Sequence, residues 1–384
     1  MNTPPRGFPD TEFMSRTACA QTEMVRAGLD ALLLTTEPEV RYYTGFLTRF
    51  WESPTRPWFV VLPVSGAPVA IIPAIGAPLM ARTWVKDVRT WPAPRPEDDG
   101  IGLLARTLGE LTPANGRIGL AEGHESHLQM PLAGLAALRD QLGLRTIVDD
   151  RGITRRLRQV KSPAEVDKIR FAAKIADRAF GRLSSIASPG DPISLVFRRF
   201  QMLCLEEGAD WVPYLAGACA PGGYEDVISP ADERPLQLGD VLMLDTGLVH
   251  DGYFCDFDRN YSLGPPSNAV ASAHARLIEA TEAAATAVRP GETMAGLYRL
   301  MADRLQLTAG SGRLGHGVGQ QLTEGASILP DDHTELVAGM VIALEPMINL
   351  APGKIMVHEE NITVTENAYE WLSSPQKPQI RVLA

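Results

Sequence analysis

At 384 residues the chain is too long for one ordinary core, and with 45% hydrophobic and 21% charged residues it has the apolar content for two. A net charge of −10, with no long block of Lys or Arg, argues against nucleic acid or an anionic membrane surface as a partner. Four cysteines without paired spacing, no basic-then-apolar leader and no apolar run of about 18 residues lead us to expect a soluble cytoplasmic protein with reduced thiols.

In chain order, Thr11–Ala27 reads as a helix that Gly28 ends, and Ala31–Thr35 follows as a buried strand. Trp58–Leu62 and Val69–Ile72 are two more strands around a turn at Ser65–Ala67, with shorter candidates at Arg117–Ala121 and Thr146–Val148. Residues 1–152 are therefore expected to form a small α/β domain, with a boundary at Asp149–Gly152. Residues 153–384 form the second domain. It opens on a long helix: Ser162 suits the cap, Pro163 the first position, and Glu165 completes a capping box. Strands and glycine turns dominate from Val241 onward, interrupted by helical stretches near Val270–Ala287 and Thr293–Leu305.

The stretch Val241–Tyr261 places acids among apolar residues. As a hairpin, with Val241–Asp245 and Tyr253–Asp258 as its strands and Asp251-Gly252 at the turn, it sets Asp245 opposite Asp256. Two carboxylates that close repel, so either one is protonated or a cation lies between them. His316 stands between two glycines in Leu314–Gly319, which opens it to close approach by a ligand or by backbone. Glu345 ends the apolar run Val341–Leu344, and Glu359 interrupts the run Lys354–Thr365. Pro352-Gly353 lies midway between the two, so they too can face each other across a hairpin. Singly, each acid is best explained as an exposed polar position and the histidine as a structural one. Together, four carboxylates and an imidazole in one domain suit two hard or borderline divalent ions: manganese, iron(II), cobalt or zinc.

In this order the motifs resemble the pita-bread metallopeptidase family, which includes methionine aminopeptidase, aminopeptidase P and prolidase. Its non-peptidase members include creatinase and a dimethylsulfoniopropionate lyase. The resemblance runs from about Arg156 to Leu372, and the N-terminal part resembles the creatinase-type domain more loosely. It implies an α+β fold with a pita-bread catalytic domain, a homodimer, and five metal ligands at Asp245, Asp256, His316, Glu345 and Glu359. Asp256 and Glu359 would bridge two ions. Glu345 would accept the proton of a bridging water that attacks an amide or related C–N bond. Arg259 would orient a bridging carboxylate from behind.

Two departures set this chain apart. Peptidases of the family usually carry a histidine where this sequence has Ile228, and a second where it has Thr323. Those histidines serve the scissile carbonyl, and losing one such donor typically costs about two to three orders of magnitude in rate. A Xaa-Pro peptidase is therefore weighed against a non-peptidase of the same fold acting on a small polar or onium compound. A non-catalytic binding protein is disfavoured by the retained acids. Candidate substrate contacts are Trp51, Arg56 and Trp58 in an aromatic, proline-stiffened segment, then Tyr214, Tyr224 and Thr323. Asp258 is expected to face solvent, and Asp251 to be a simple turn residue.

Overall fold

The structure is a computed structural model, and it describes residues 3–52, 56–307 and 312–383. The chain divides into two compact units, Pro5–Arg158 and the part from Gln159 onward.

The first unit is built on one six-stranded sheet. Its strands are β1 (Ala31–Leu34), β2 (Phe59–Pro63), β3 (Val69–Pro73), β4 (Asp87–Trp91), β5 (Arg117–Leu120) and β6 (Thr146–Asp149), in the order β4-β3-β2-β1-β5-β6. The β1–β2 and β2–β3 pairs are antiparallel; the other three are parallel. Helices α1 (Asp10–Ala27), α2 (Glu37–Thr44), α3 (Ala77–Met80), α4 (Ile101–Leu111), α5 (Leu132–Gln141) and α6 (Ile153–Gln159) complete it. Because side chains alternate along a strand, Leu32, Leu34, Val60 and Leu62 join one core with α1, whereas Ala31, Leu33, Phe59 and Val61 join another with α4. Cover on both faces is why the central strands read as unbroken apolar runs. Gly28 ends α1 in the left-handed region at φ 65°, as its position after the helical pattern predicts. The edge strand β4 escapes the sequence reading because its Asp-Val-Arg-Thr-Trp is mostly polar and partly exposed.

In the second unit, Ser162 Oγ accepts from the Glu165 N–H at 3.3 Å, and Glu165 Oε2 accepts from the Ser162 N–H at 2.9 Å. This closes the expected capping box on α7 (Pro163–Gly181). Helix α8 (Ile193–Glu206) follows, then strands β7 (Trp211–Pro221), β8 (Asp240–His250), β9 (Tyr253–Phe254) and β10 (Phe257–Leu263). Two more helices come next, α9 (Asn268–Ala287) and α10 (Met294–Leu305). The chain finishes with β11 (Gly315–Gly317), β12 (Val341–Leu344), β13 (Met347–Ala351), β14 (Lys354–Val357), β15 (Glu360–Val364), β16 (Tyr369–Trp371) and β17 (Arg381–Leu383). One sheet runs β17-β10-β8-β7, with β9 on β8; a second runs β11-β12-β15-β16; β13 and β14 form a hairpin. Helix α10 packs with β12 and β15 in one core, while α9 shares a second with β8, β13 and β14. The architecture is the α+β class that the sequence suggests.

Candidate metal centre

The β8–β9 turn is Asp251-Gly252, with φ of 49° and 81°, and it pairs His250 with Tyr253. Positive φ at both turn residues is what a two-residue hairpin of this twist requires. Asp251 is more than a turn residue: it is buried and ion-paired with Lys168 of α7. The ladder pauses at Cys255–Asp256 and resumes in β10 in the same register. The Asp251-Gly252 turn therefore sets Asp245 opposite Asp258, which corrects the expected pairing with Asp256. Asp256, just before β10, is clamped by an amide instead. Its N–H donates to Asn361 Oδ1 at 2.9 Å, and Asn361 Nδ2 donates to its carbonyl at 2.5 Å. These bonds tie the β8–β10 sheet to β15.

Glu345 and Glu359 fall opposite each other as expected. The β13–β14 hairpin pairs Met347 with Val357, and the next sheet pairs Leu344 with Glu360, so both registers place 345 across from 359. On β11 the two glycines answer backbone rather than ligand. A Cβ on Gly315 would lie 2.1 Å from the Ala343 carbonyl oxygen, and one on Gly317 would lie 2.1 Å from that of Glu324. His316 Nδ1–H donates to the Gly317 carbonyl at 3.0 Å, which leaves Nε2 as a free lone pair. That nitrogen stands 3.4 Å from Asp256 Oδ2 and 3.8 Å from Glu359 Oε1.

Asp256, His316 and Glu359 therefore form a buried group whose ligand atoms lie within 4.8 Å of one another. Asp245 and Glu345 stand outside this tight group but act on it. Burial, then the charges of Asp245 and Glu345, push the Asp256 carboxyl well above its ordinary range. Burial, then Asp256, Glu345 and Asp245, do the same to Glu359. Burial raises Glu345 to about 7, with the Arg313 charge opposing, and it lowers His316 to about 4. Asp245 is raised by burial and by Asp258 and Glu345, with the neighbouring Tyr214 hydroxyl opposing. Asp245 Oδ1, Asp256 Oδ1 and Glu359 Oε1 are buried without a hydrogen-bond partner among the described residues. Unpaired buried acceptors are costly. A carboxylate-rich donor set with one unprotonated imidazole nitrogen fits divalent cations, which would satisfy all three.

Arg259 is buried, not a surface ion pair. It donates to the carbonyls of Asp258 at 2.6 Å, Glu359 at 3.3 Å and Ser374 at 2.7 Å, and to Glu360 Oε2 at 3.0 Å. It thus steadies the backbone that carries Glu359 rather than a ligand carboxylate. Asp258 corrects the expectation of a solvent-facing bystander: it is 1% exposed, and its Oδ1 accepts from the Glu359 N–H at 3.1 Å. His358 and Glu360 complete this wall, with His358 Nε2 3.3 Å from Glu360 Oε1. The unbroken polar run His358–Asn361 inside an apolar strand was the available signal for them.

Among the substrate candidates, Thr323 accepts from Arg313 at 3.3 Å, on a loop anchored by the Lys161–Glu324 ion pair at 3.0 Å. Tyr224 is a core residue. Its hydroxyl donates to Asn260 Oδ1 at 3.1 Å and accepts from the Val357 N–H at 2.8 Å, leaving no free donor. Ile228 is 78% exposed. In the first unit, Trp51 and Trp58 are buried with centroids 5.8 Å apart. Trp58 lies under Gly76, so both indoles pack in their own core rather than in an open pocket lining. Arg56 lies over Phe50 at 5.3 Å. Residues 53–55 of that segment lie outside the described residues.

Residues 167–366 match the model of metallopeptidase family M24, and residues 16–160 match the creatinase/prolidase N-terminal domain. The chain is 28% identical over 369 residues to a probable dipeptidase PepE of Mycobacterium tuberculosis, covering 94% of this chain and 93% of that one. It superposes on the crystal structure of dipeptidase PepE from Mycobacterium ulcerans with a TM-score of 0.83 at 30% identity, covering 98% and 99% of the two chains. A prolidase from Thermococcus sibiricus shares the fold at a TM-score of 0.85 and 22% identity, covering 97% and 99%. The two-unit arrangement is thus a pita-bread domain preceded by a creatinase-like one.

Proposed function

The chain belongs to metallopeptidase family M24 and is a metal-dependent hydrolase; from that premise we propose that it hydrolyses the amide bond of a dipeptide or comparably small substrate at a two-metal site. The observation that carries this is the buried Asp256–His316–Glu359 group with its unpartnered oxygens. Asp245, Asp256, His316, Glu345 and Glu359 would hold the ions, with Asp256 and Glu359 shared between them. When bound, two divalent ions supply Lewis acidity toward a carbonyl and a nucleophile from water at neutral pH.

The chain's own groups do the rest. His316 presents its unprotonated Nε2 because Nδ1 is committed to the Gly317 carbonyl. Glu345, raised to about 7 by burial, is the group able to take up and return a proton near neutrality. Tyr214, whose hydroxyl acts on the Asp245 carboxyl, lies at the edge of the acids. Arg313 and Thr323 offer the polar contacts for the substrate's charged or carbonyl end.

The test is metal analysis of protein purified without chelator, followed by a dipeptide panel including Xaa-Pro substrates with added Mn²⁺. About two transition ions per chain and dipeptide turnover are expected. Turnover with no bound metal would refute the reading. One observation favours a second reading: the exposed Ile228 side chain offers no donor to a peptide carbonyl. A non-peptide C–N or onium substrate is selected if every dipeptide is inert while a guanidino or sulfonium compound is turned over.

A further inference from the structure

Asp258 is a buried carboxylate that the five-ligand reading leaves unused. Its Cα is paired with that of Asp245 across the β8–β10 ladder, so the two side chains share one face of the sheet, about 5 Å apart at their Cβ atoms. Asp256, two residues earlier, lies on the same side by the period of the strand. One oxygen of Asp258 is held: Oδ1 accepts from the N–H of Glu359 at 3.1 Å, with His358 Nδ1 3.6 Å away. The other, Oδ2, is buried without a partner among the described residues, as are Asp245 Oδ1 and Asp256 Oδ1. A side chain 1% exposed, fixed by one oxygen and idle at the other beside two idle carboxylates, has the geometry of a ligand rather than of a surface acid.

We propose that Asp258 is a sixth protein ligand of the metal centre, giving the ion beside Asp245 a further carboxylate. The inference rests on the two-metal reading above. Its consequence is asymmetry. Beside the shared Asp256 and Glu359, one position would add Asp245 and Asp258, an all-oxygen set, while the other would add His316 and Glu345. An all-carboxylate position favours a hard ion such as Mn²⁺ or Mg²⁺, whereas imidazole admits softer ones. His358, flanked by Asp258 and Glu360, places a basic ring behind the added negative charge.

The experiment is Mn²⁺ binding to the full-length chelator-treated protein, by calorimetry and elemental analysis, for wild type, Asp258→Asn and Asp258→Thr. Asp258→Asn keeps an Oδ1 acceptor for the Glu359 N–H but turns an NH₂ donor toward the cations. Asp258→Thr leaves a small hydroxyl, so the test does not hang on one variant folding; circular dichroism verifies each. In both, one ion should bind about 10- to 100-fold more weakly than in wild type, the size of loss seen when a metal site's support is removed. The electron paramagnetic resonance of a coupled Mn pair should give way to the six-line signal of a lone ion. Two ions at wild-type affinity with the coupled signal intact, in either folded variant, would overturn the sixth ligand and leave the two-metal reading standing. A wild-type protein that takes up no ion would overturn both.

Discussion

His274 sits in the core with neither ring nitrogen hydrogen-bonded among the described residues, and burial followed by the His358 ring holds it down at about 4. Its unfolded counterpart titrates near 6.5, so between about pH 6.5 and 4 the unfolded chain binds a proton that the folded one refuses. Stability is therefore whole above about 6.5 and falls as pH drops toward 4, by about 3 kcal/mol from this group. Melting the metal-free protein from pH 7 to 5 should show a shallower decline in His274→Phe than in wild type; parallel curves would disprove it. At the acids the sign reverses. Glu345 at about 7, and Asp256 and Glu359 raised further, hold protons in the metal-free cage, so cations must displace them. Calorimetric heats of Mn²⁺ binding at pH 6.5 should then differ between buffers of unlike ionisation enthalpy, and apparent affinity should rise with pH. Arg259→Ala strands Glu360 without its cation, and should cost about 3–5 kcal/mol in urea unfolding of the metal-free protein.

At the scale of elements, β11 is the most constrained piece of the site. Alanine at 315 or 317 drives a Cβ into a carbonyl oxygen of a neighbouring strand or loop, and Gly315 also holds φ at 142°. Either substitution should cost about 3 kcal/mol or more and abolish metal uptake, read by thermal melting with elemental analysis. The glycines were visible in the sequence, but their reason was not, because a carbonyl from a strand about 30 residues on cannot be read locally. Asp258 was legible in principle. Alternation identifies β8 and β10 as strands, and taking Asp251-Gly252 as the two turn residues pairs Asp245 with Asp258 by counting alone. Asp256 and Asp258 are two apart and so fall to the same face, which is why an acid cluster could be expected even with the wrong partner. The Glu345–Glu359 pair could be expected from their even placement about Pro352-Gly353, but its exact register comes from a bulge between Asn349 and Ala351 that removes the one-residue offset of the turn. Tyr224, Trp51 and Trp58 were misplaced because an aromatic near polar neighbours reads alike whether it lines a pocket or fills a core.

For the whole molecule, all five expected ligands and Asp258 belong to the second unit, which carries its own cores. A chain beginning at Gln159 should therefore still take up Mn²⁺, whatever it loses in catalysis; failure of the folded fragment to bind would show that the first unit is needed to build the centre. The amide of Asn361 bears on a more practical matter. Its two bonds to the backbone of Asp256 bind the sheets beside the ligands without any help from a cation. The bare and loaded proteins should then differ in charge far more than in shape. Crystals grown in chelator should survive transfer into manganese solution, filling in place without cracking and with little change of unit cell.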